Sequence, residues 1–450
     1  MKTLMLLVFF FSITFPLFSA DKPSQEERMA WFDEAKLGIF IHWGLYAVNG
    51  IGASWPLKNK EISWDDYMKQ AGGFTAEKYK ADEWAKLFKQ AGARYVVLTS
   101  KHHDGFALWD TKYSLLNAKD FSAAKRDLLA PYADALRRQG LKVGFYFSLL
   151  DWSHKDYEVV YDRPQDEVNK LYPQPDWQKN LPPHERFVKF VFGQLSEISH
   201  NYRPDVLWFD GGWEHTSQWW RAEEIKDSLL SWNPRIIVND RLPDYGDYET
   251  AEQGSPVLRP KRTWEFCMTI NNHWGYFPTD NNYKPQAQII RTFVEVIANG
   301  GNLLLDVGPK PDGTIDKRQA QTLKTLGAWI ERNKEAVYPA KAGLPYGHFY
   351  GPTLLSKDEK TIYLALFDTP KDYILLKGLH TKIKNIRVVG SNQPLKWVRS
   401  GGAKWAHIPG IARIEVPKKK NLDRYVTIIA VELEGKVDLF RGHGKAIESN

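Results

Sequence analysis

The chain contains a single cysteine, Cys267, in 450 residues. No internal disulfide can form, so a folded state must rest on its apolar core. Beyond residue 20 no apolar run reaches the roughly 20 residues that a membrane-spanning helix needs. No cysteine follows the N-terminal apolar run, which leaves no site for a lipoprotein anchor. Basic residues do not cluster, apart from Lys418-Lys419-Lys420, and the formal net charge is +7. That pattern argues against nucleic acid as a partner. Tandem repeats and low-complexity linkers are also missing.

What is present begins with a leader. Lys2 precedes an apolar stretch from Leu4 to Phe18, and the small residues Ser19 and Ala20 precede polar sequence from Asp21. Residues 1–20 read as a secretory signal peptide, so a periplasmic or secreted protein is expected. Aromatic residues reach 14%, with 18 Trp and 21 Tyr. Sugar rings carry apolar C–H faces that pack on aromatic planes, so this abundance favours a carbohydrate ligand. Most such side chains fill cores in any protein, and the signal is weak alone.

Residues 21–340 alternate strand and helix patterns. Apolar runs at Leu37–His42, Tyr95–Ser100, Val143–Ser148, Val206–Asp210, Ile236–Asp240 and Asn302–Val307 read as strands. Helical faces are expected after Asp82 as N-cap, around Pro131–Gln139, His184–Ser199, Glu223–Ser231 and Lys284–Asn299. Fully apolar strands separated by helices predict parallel pairing with both faces covered. Repeated over some three hundred residues, the pattern predicts a (β/α)8-type barrel. An open doubly wound sheet is disfavoured, because no glycine-rich dinucleotide loop follows the first strand. Residues 341–436 change to short strand patterns at Thr361–Phe367, Ile383–Val389, Ala412–Val416 and Tyr425–Val431, a small all-β sandwich domain. Residues 437–450 form a polar tail.

A parallel barrel carries its chemistry where strands end and the following loops begin. Those positions hold His42, His102, His103, Tyr146, Asp210 and Asp240-Arg241. Asp210 is the sharpest signal: an apolar strand delivers one carboxylate to its tip, and Gly211-Gly212 leave room for a ligand to approach. The competing reading is an aspartate that caps a helix. Glycoside hydrolysis needs a second carboxylate as proton donor. Glu249, Glu252 and Glu265 are candidates, each also suited to an ion pair with Arg241 or Arg262. His102-His103-Asp104 is read as hydrogen-bonding rather than metal-binding, since adjacent histidines diverge and no matching ligand cluster follows.

These residues sit in recognisable motifs. Leu37-Gly-Ile-Phe-Ile-His-Trp-Gly44 is followed by Tyr95-Val-Val-Leu-Thr-Ser-Lys-His-His-Asp-Gly-Phe106, with Trp109 beyond. Gly144-Phe-Tyr-Phe-Ser148, Leu207-Trp-Phe-Asp-Gly211, Val238-Asn-Asp-Arg241 and Gly301-Asn-Leu-Leu-Leu305 complete the set. In order and spacing the chain resembles the α-L-fucosidases of glycoside hydrolase family 29 from Trp31 to Val337. The resemblance implies a retaining mechanism without metal or organic cofactor, acting on a fucosylated oligosaccharide, polysaccharide or glycoconjugate. It makes Asp210 the nucleophile, and His42, His102, His103, Tyr146 and Trp208 the fucose pocket. It sets Arg241 near the acid/base, and places Glu252 at the acid/base position of one branch. Trp264-Glu265 resembles a recurrent pair that supports the pocket. Two positions depart from the pattern. In Gly52-Ala-Ser-Trp-Pro56, Ser54 precedes Trp55 where Glu-Trp is common, and Asp306 stands where Asn is common. The competing readings are an exo-α-L-galactosidase on the same scaffold, since L-galactose only adds a C6 hydroxyl, and a catalytically dead sugar-binding protein.

Overall fold

The computed structural model describes residues 22–442, except 158–164, 173–174, 176–177, 179, 255 and 257. The leader and residues 443–450 of the tail lie outside the described residues.

Eight parallel strands make one curled sheet: β1 (Leu37–Ile41), β2 (Tyr95–Lys101), β3 (Lys142–Ser148), β4 (Val206–Asp210), β5 (Ile237–Val238), β6 (Glu249–Glu252), β7 (Trp264–Thr269) and β8 (Asn302–Val307). Their order is β5-β4-β3-β2-β1-β8-β7-β6. Every residue of β1, β2, β4, β7 and β8 is buried, as expected of a parallel sheet covered on both sides. Helices Ala81–Gln90, Leu129–Arg138, Pro183–Tyr202, Ala222–Trp232, Gln286–Ala298 and Lys317–Arg332 cover the outside. The sheet edges meet through a parallel bridge between Asn239 and Tyr248, so the curl approaches a closed barrel.

The structure departs from strict alternation on one side. Among the described residues no helix joins β5 to β6 or β6 to β7. β6 reads Glu-Thr-Ala-Glu and has no apolar signature, which is why its sequence did not announce a strand. The strand expected at Ile236–Asp240 shortens to two residues. There the Asn239 side chain replaces backbone pairing, accepting from Phe209 N at 2.8 Å and donating to Phe209 O at 3.0 Å. Asp82 lies inside the first helical turn; Lys80 is the N-cap and makes no side-chain bond there.

The helix Gln25–Asp33, opened by a capping box between Ser24 and Glu27, lies against the N-terminal ends of the strands. Its Phe32 packs on Tyr95 and Tyr248 at centroid distances of 5.3 and 4.4 Å. Its Arg28 reaches the seam between β5 and β6. Asp247 gathers Arg28 at 2.9 and 3.1 Å, Lys226 at 2.5 Å and the backbone N–H of Val238 at 2.9 Å.

The C-terminal region adds β9 (Ala340–Ala342), β10 (Thr353–Ser356), β11 (Thr361–Leu366), β12 (Tyr373–Leu376), β13 (Ile383–Val388), β14 (Trp397–Ser400), β15 (Ile411–Glu415) and β16 (Thr427–Leu433). They form antiparallel sheets ordered β13-β16-β11-β10-β9 and β12-β15-β14. The two-residue period divides β11. Tyr363 and Ala365 join the barrel core, while Ile362, Leu364 and Leu366 join a second cluster with Ile374, Leu376, Ala412 and Ile414. The larger sheet is thus a middle layer, tied to the barrel also by a 3.0 Å bond from Trp329 Nε1 to the Val426 carbonyl.

The seam generates a stability prediction. Burial works to raise the Asp247 carboxyl, but Arg28 and Lys226 overcome it and hold the group below its ordinary value. Its contribution is therefore present above the unfolded value, about 3.9, and is lost as pH falls through the lower folded value. Asp247→Ala leaves two cations buried without their partner and should cost about 3–5 kcal/mol in urea unfolding. A loss under about 1 kcal/mol would show that the seam does not depend on this carboxylate.

Candidate active site

Because all eight strands run the same way, strand position sorts the candidate acids. Asp210 is the last residue of β4 and Glu252 the last of β6, so both reach the C-terminal rim. Glu249 opens β6, paired with Trp264 at the start of β7, and so lies toward the opposite end. Glu265, second in β7, points into the barrel interior. It is wholly buried, its two oxygens taken by Trp208 Nε1 at 2.7 Å and by a short bond from Tyr95. Glu265 therefore lies beneath the rim, with both oxygens already engaged by Trp208 and Tyr95.

Asp210 caps no helix; the following 3-10 turn has Gly211 as its N-cap. Tyr146 donates to Asp210 Oδ2 at 2.8 Å, Arg241 Nη1 donates to Oδ1 at 2.6 Å, and His103 Nε2 lies 3.4 Å from Oδ2. The second amino group of Arg241 makes a short bond to Glu252. One guanidinium thus holds both rim carboxylates. Its plane lies over Trp208 at 4.6 Å and near Trp213 at 5.5 Å. Gly211 and Gly212 serve this approach rather than the ligand's. A Cβ on Gly211, at φ +81°, would meet Leu150 at 2.2 Å, and one on Gly212 would meet the Arg241 carbonyl at 2.1 Å.

The histidines share one design. His42 Nδ1 contacts Asp306 at 2.8 Å, His102 Nδ1 contacts Ser54 Oγ at 2.5 Å, and His103 Nδ1 contacts Ser148 Oγ at 2.6 Å. Each Nδ1 is fixed by a buried partner, which leaves Nε2 for other contacts. Burial first, then the crowding of the other imidazoles, hold all three histidines well below their ordinary value, so they are neutral. Burial also pushes the Asp306 carboxyl well up from its ordinary range. Ser54 is itself wholly buried, with its hydroxyl on His102. The rings stack in series: His102 on Tyr146 at 5.3 Å and Tyr146 on Trp208 at 5.6 Å.

Behind the His102–His103 turn, Lys101 Nζ reaches Asp151 at 3.3 Å and Tyr67 donates to Asp104 at 2.7 Å, all buried. At the rim, Trp55 is 38% exposed and sets its edge toward His103. Lys58 and Tyr157 both donate to Glu214, at 2.8 and 2.6 Å, joining the loops after β1, β3 and β4. Sequence reading had not singled out Trp213, Glu214, Tyr157 or Trp274. Trp213, three residues past Asp210 and 58% exposed, was within reach of the strand-end rule. Trp274, 4.9 Å from His42, lies in a loop with no such signal.

Two carboxylates bridged by a guanidinium, within a cup of neutral histidines and aromatic rings at the open end of a parallel barrel, define a glycosidase-type site. Comparison with known proteins narrows the class. The α-L-fucosidase family matches residues 17–335. Human plasma α-L-fucosidase is 32% identical over 409 residues, covering 82% of this chain and 83% of that protein. The structure of α-L-fucosidase isoenzyme 1 from Paenibacillus thiaminolyticus superposes with TM-score 0.81 at 32% identity, covering 91% of this chain and 99% of that one. A Bacteroides thetaiotaomicron family 29 α-L-fucosidase, solved as a trapped covalent intermediate, gives TM-score 0.77 at 26% identity, over 91% and 96%. The chain belongs to the α-L-fucosidase family, glycoside hydrolase family 29.

The buried Glu265 yields a pH prediction. Burial raises its carboxyl to about 7, against the bonds from Tyr95 and Trp208. The fold favours the protonated form. That stability is full below the unfolded value, about 4.3, and is lost as pH rises through the folded one. Glu265→Gln should flatten the fall in Tm between about pH 4 and 7 while keeping the Trp208 contact. A variant whose Tm tracks the parent's pH slope would remove Glu265 as the titrating group.

Proposed function

We infer that the protein is a retaining exo-α-L-fucosidase acting on fucosylated glycans, with Asp210 as nucleophile and Glu252 as acid/base. The observation that carries the reading is the single Arg241 guanidinium bonded to both rim carboxylates. The bridge keeps the two carboxyl groups near one another on the same rim. Retention uses carboxyl groups about 5–5.5 Å apart, whereas inversion needs a wider gap for water. The trapped covalent intermediate of the Bacteroides relative agrees with this chemistry.

In the first step an Asp210 oxygen attacks the anomeric carbon while Glu252 gives its proton to the departing glycosidic oxygen. The sugar is left as an ester on Asp210. In the second step Glu252, now a carboxylate, takes a proton from water, whose oxygen attacks the same carbon and releases Asp210. When Glu252 carries a proton, Arg241 can donate only to its unprotonated oxygen, so the proton sits on the other one. The Tyr146 and Arg241 bonds aim the Asp210 carboxylate. The neutral histidines suit hydroxyls, which can both give and accept.

The signal peptide at 1–20 and export follow the sequence reading, as does the division into a catalytic domain, 21–340, a C-terminal β-sandwich, 341–436, and a polar tail. The fucose preference over L-galactose rests on aromatic surface around the pocket, Trp213 and Trp274 included, which suits a C5 methyl group. An apolar pocket rejects an added hydroxyl by about a hundredfold at most, so weak α-L-galactosidase activity is expected.

Asp210→Asn should remove turnover by several orders of magnitude with the fold retained, as read by kcat on an aryl α-L-fucoside. Glu252→Ala should cost about 10²–10⁴-fold on natural fucosides and far less on aryl fucosides, whose leaving groups need little protonation. If Glu265→Ala shows that split and Glu252→Ala does not, the acid/base assignment falls. A higher kcat/KM on the aryl α-L-galactoside would replace the sugar assignment and leave the two carboxylates in their roles.

A further inference from the structure

A second cleft, of about 390 Å³, opens between the barrel and the start of the C-terminal region. Its lining includes Arg259, Glu295, Asn299, Tyr346, Phe349 and Tyr350. Asn299 closes the helix that leads into the N-terminal end of β8, and its carbonyl accepts from Trp264, the first residue of β7. The cleft therefore lies at the opposite end of the barrel from Asp210. Tyr346 and Tyr350 are 60% and 56% exposed, while Phe349 is buried behind Tyr350 at 4.3 Å. Two large aromatic faces at the surface of one concavity are not needed by the core, which Phe349 already serves.

The polar groups match the rings. Arg259 is anchored through Nη2 on the Gly343 carbonyl at 3.1 Å, yet its buried Nε has no partner among the described residues. Glu295 adds a carboxylate at the rim, and Asn299 Oδ1 lies 3.4 Å from the Tyr346 hydroxyl. Charges of both signs in one cleft favour a neutral ligand: an anion meets Glu295 and a cation meets Arg259. Aromatic planes with a fixed donor and nearby acceptors fit a neutral sugar chain, and the volume falls in the range of small-ligand sites.

We propose that this cleft is a second, non-catalytic carbohydrate site, which holds a neutral glycan chain while another branch of the same polymer occupies the active site. The ligand class rests on the glycan-hydrolase reading, and the gain is one of effective concentration. Six residues of strand span about 20 Å, so only a polymer can engage both ends. Small substrates gain nothing.

The test uses the full chain carrying Asp210→Asn, run by native electrophoresis through a gel containing soluble fucosylated xyloglucan. A fuco-configured iminosugar fills the active site. Retardation should persist with the iminosugar present. It should weaken at least about tenfold in apparent affinity in Tyr346→Ala/Tyr350→Ala and survive in Tyr346→Phe/Tyr350→Phe. In the otherwise native chain the Ala pair should leave aryl fucoside kinetics unchanged, which also reports a folded protein. Loss of all retardation with the iminosugar, no retardation at all, or equal retardation of the Ala and Phe pairs each overturns the proposal. Aryl fucoside turnover is read separately, so failure of the fucosidase reading and failure of the second site are distinct results.

Discussion

The site depends on one cation shared by two carboxylates. Asp210 and Glu252 end strands that are not neighbours in the sheet, and two acids brought that close repel each other unless a positive group lies between them. Arg241 supplies it, and its position is itself built. Asn239 ties the short β5 to β4, and glycine at 212 lets the Arg241 backbone approach. Trp208 lies beneath the guanidinium as a cation–π face. Removing any of these would move the charge rather than delete it.

The floor below is equally constrained. Trp208 is held from underneath by Glu265, and Glu265 by Tyr95 at the start of β2. The chain of contacts therefore runs through the barrel interior, from the end closed by Phe32 to the catalytic rim. A buried carboxyl is costly unless its oxygens are used, and here both are. That makes Glu265 a buried anchor for the Trp208 ring.

The sequence was informative where chemistry and periodicity coincide. Apolar runs ending in His42, His102-His103 and Asp210 located the strands and the polar side chains gathered at their ends, because a parallel strand buried on both faces is nearly all apolar and its tip alone is free to be polar. The same logic failed at β6. Glu249-Thr-Ala-Glu252 has no apolar signal, since this edge strand is only partly buried, and Glu249, Glu252 and Glu265 could not be separated by composition. Only strand direction separates them. The glycines after Asp210 were read as room for a ligand, yet they accommodate Leu150 and the Arg241 backbone. Short strands such as β9, β12 and β14 were invisible because three or four residues carry too little of a two-residue period.

The two departures from the family pattern acquire a common physical sense from the histidines. A neutral imidazole can present either a donor or an acceptor, and which one depends on what its other nitrogen contacts. Ser54 and Asp306 are those contacts for His102 and His42, as Ser148 is for His103. A hydroxyl and a buried carboxyl raised above its ordinary value can each give or take a proton. A charged glutamate in place of Ser54 could only accept from His102, whereas the Ser54 hydroxyl can donate or accept and so leaves that ring's tautomer open. Serine at this position thus sets the partner of His102 and leaves the bonds among Asp210, Arg241 and Glu252 as they are.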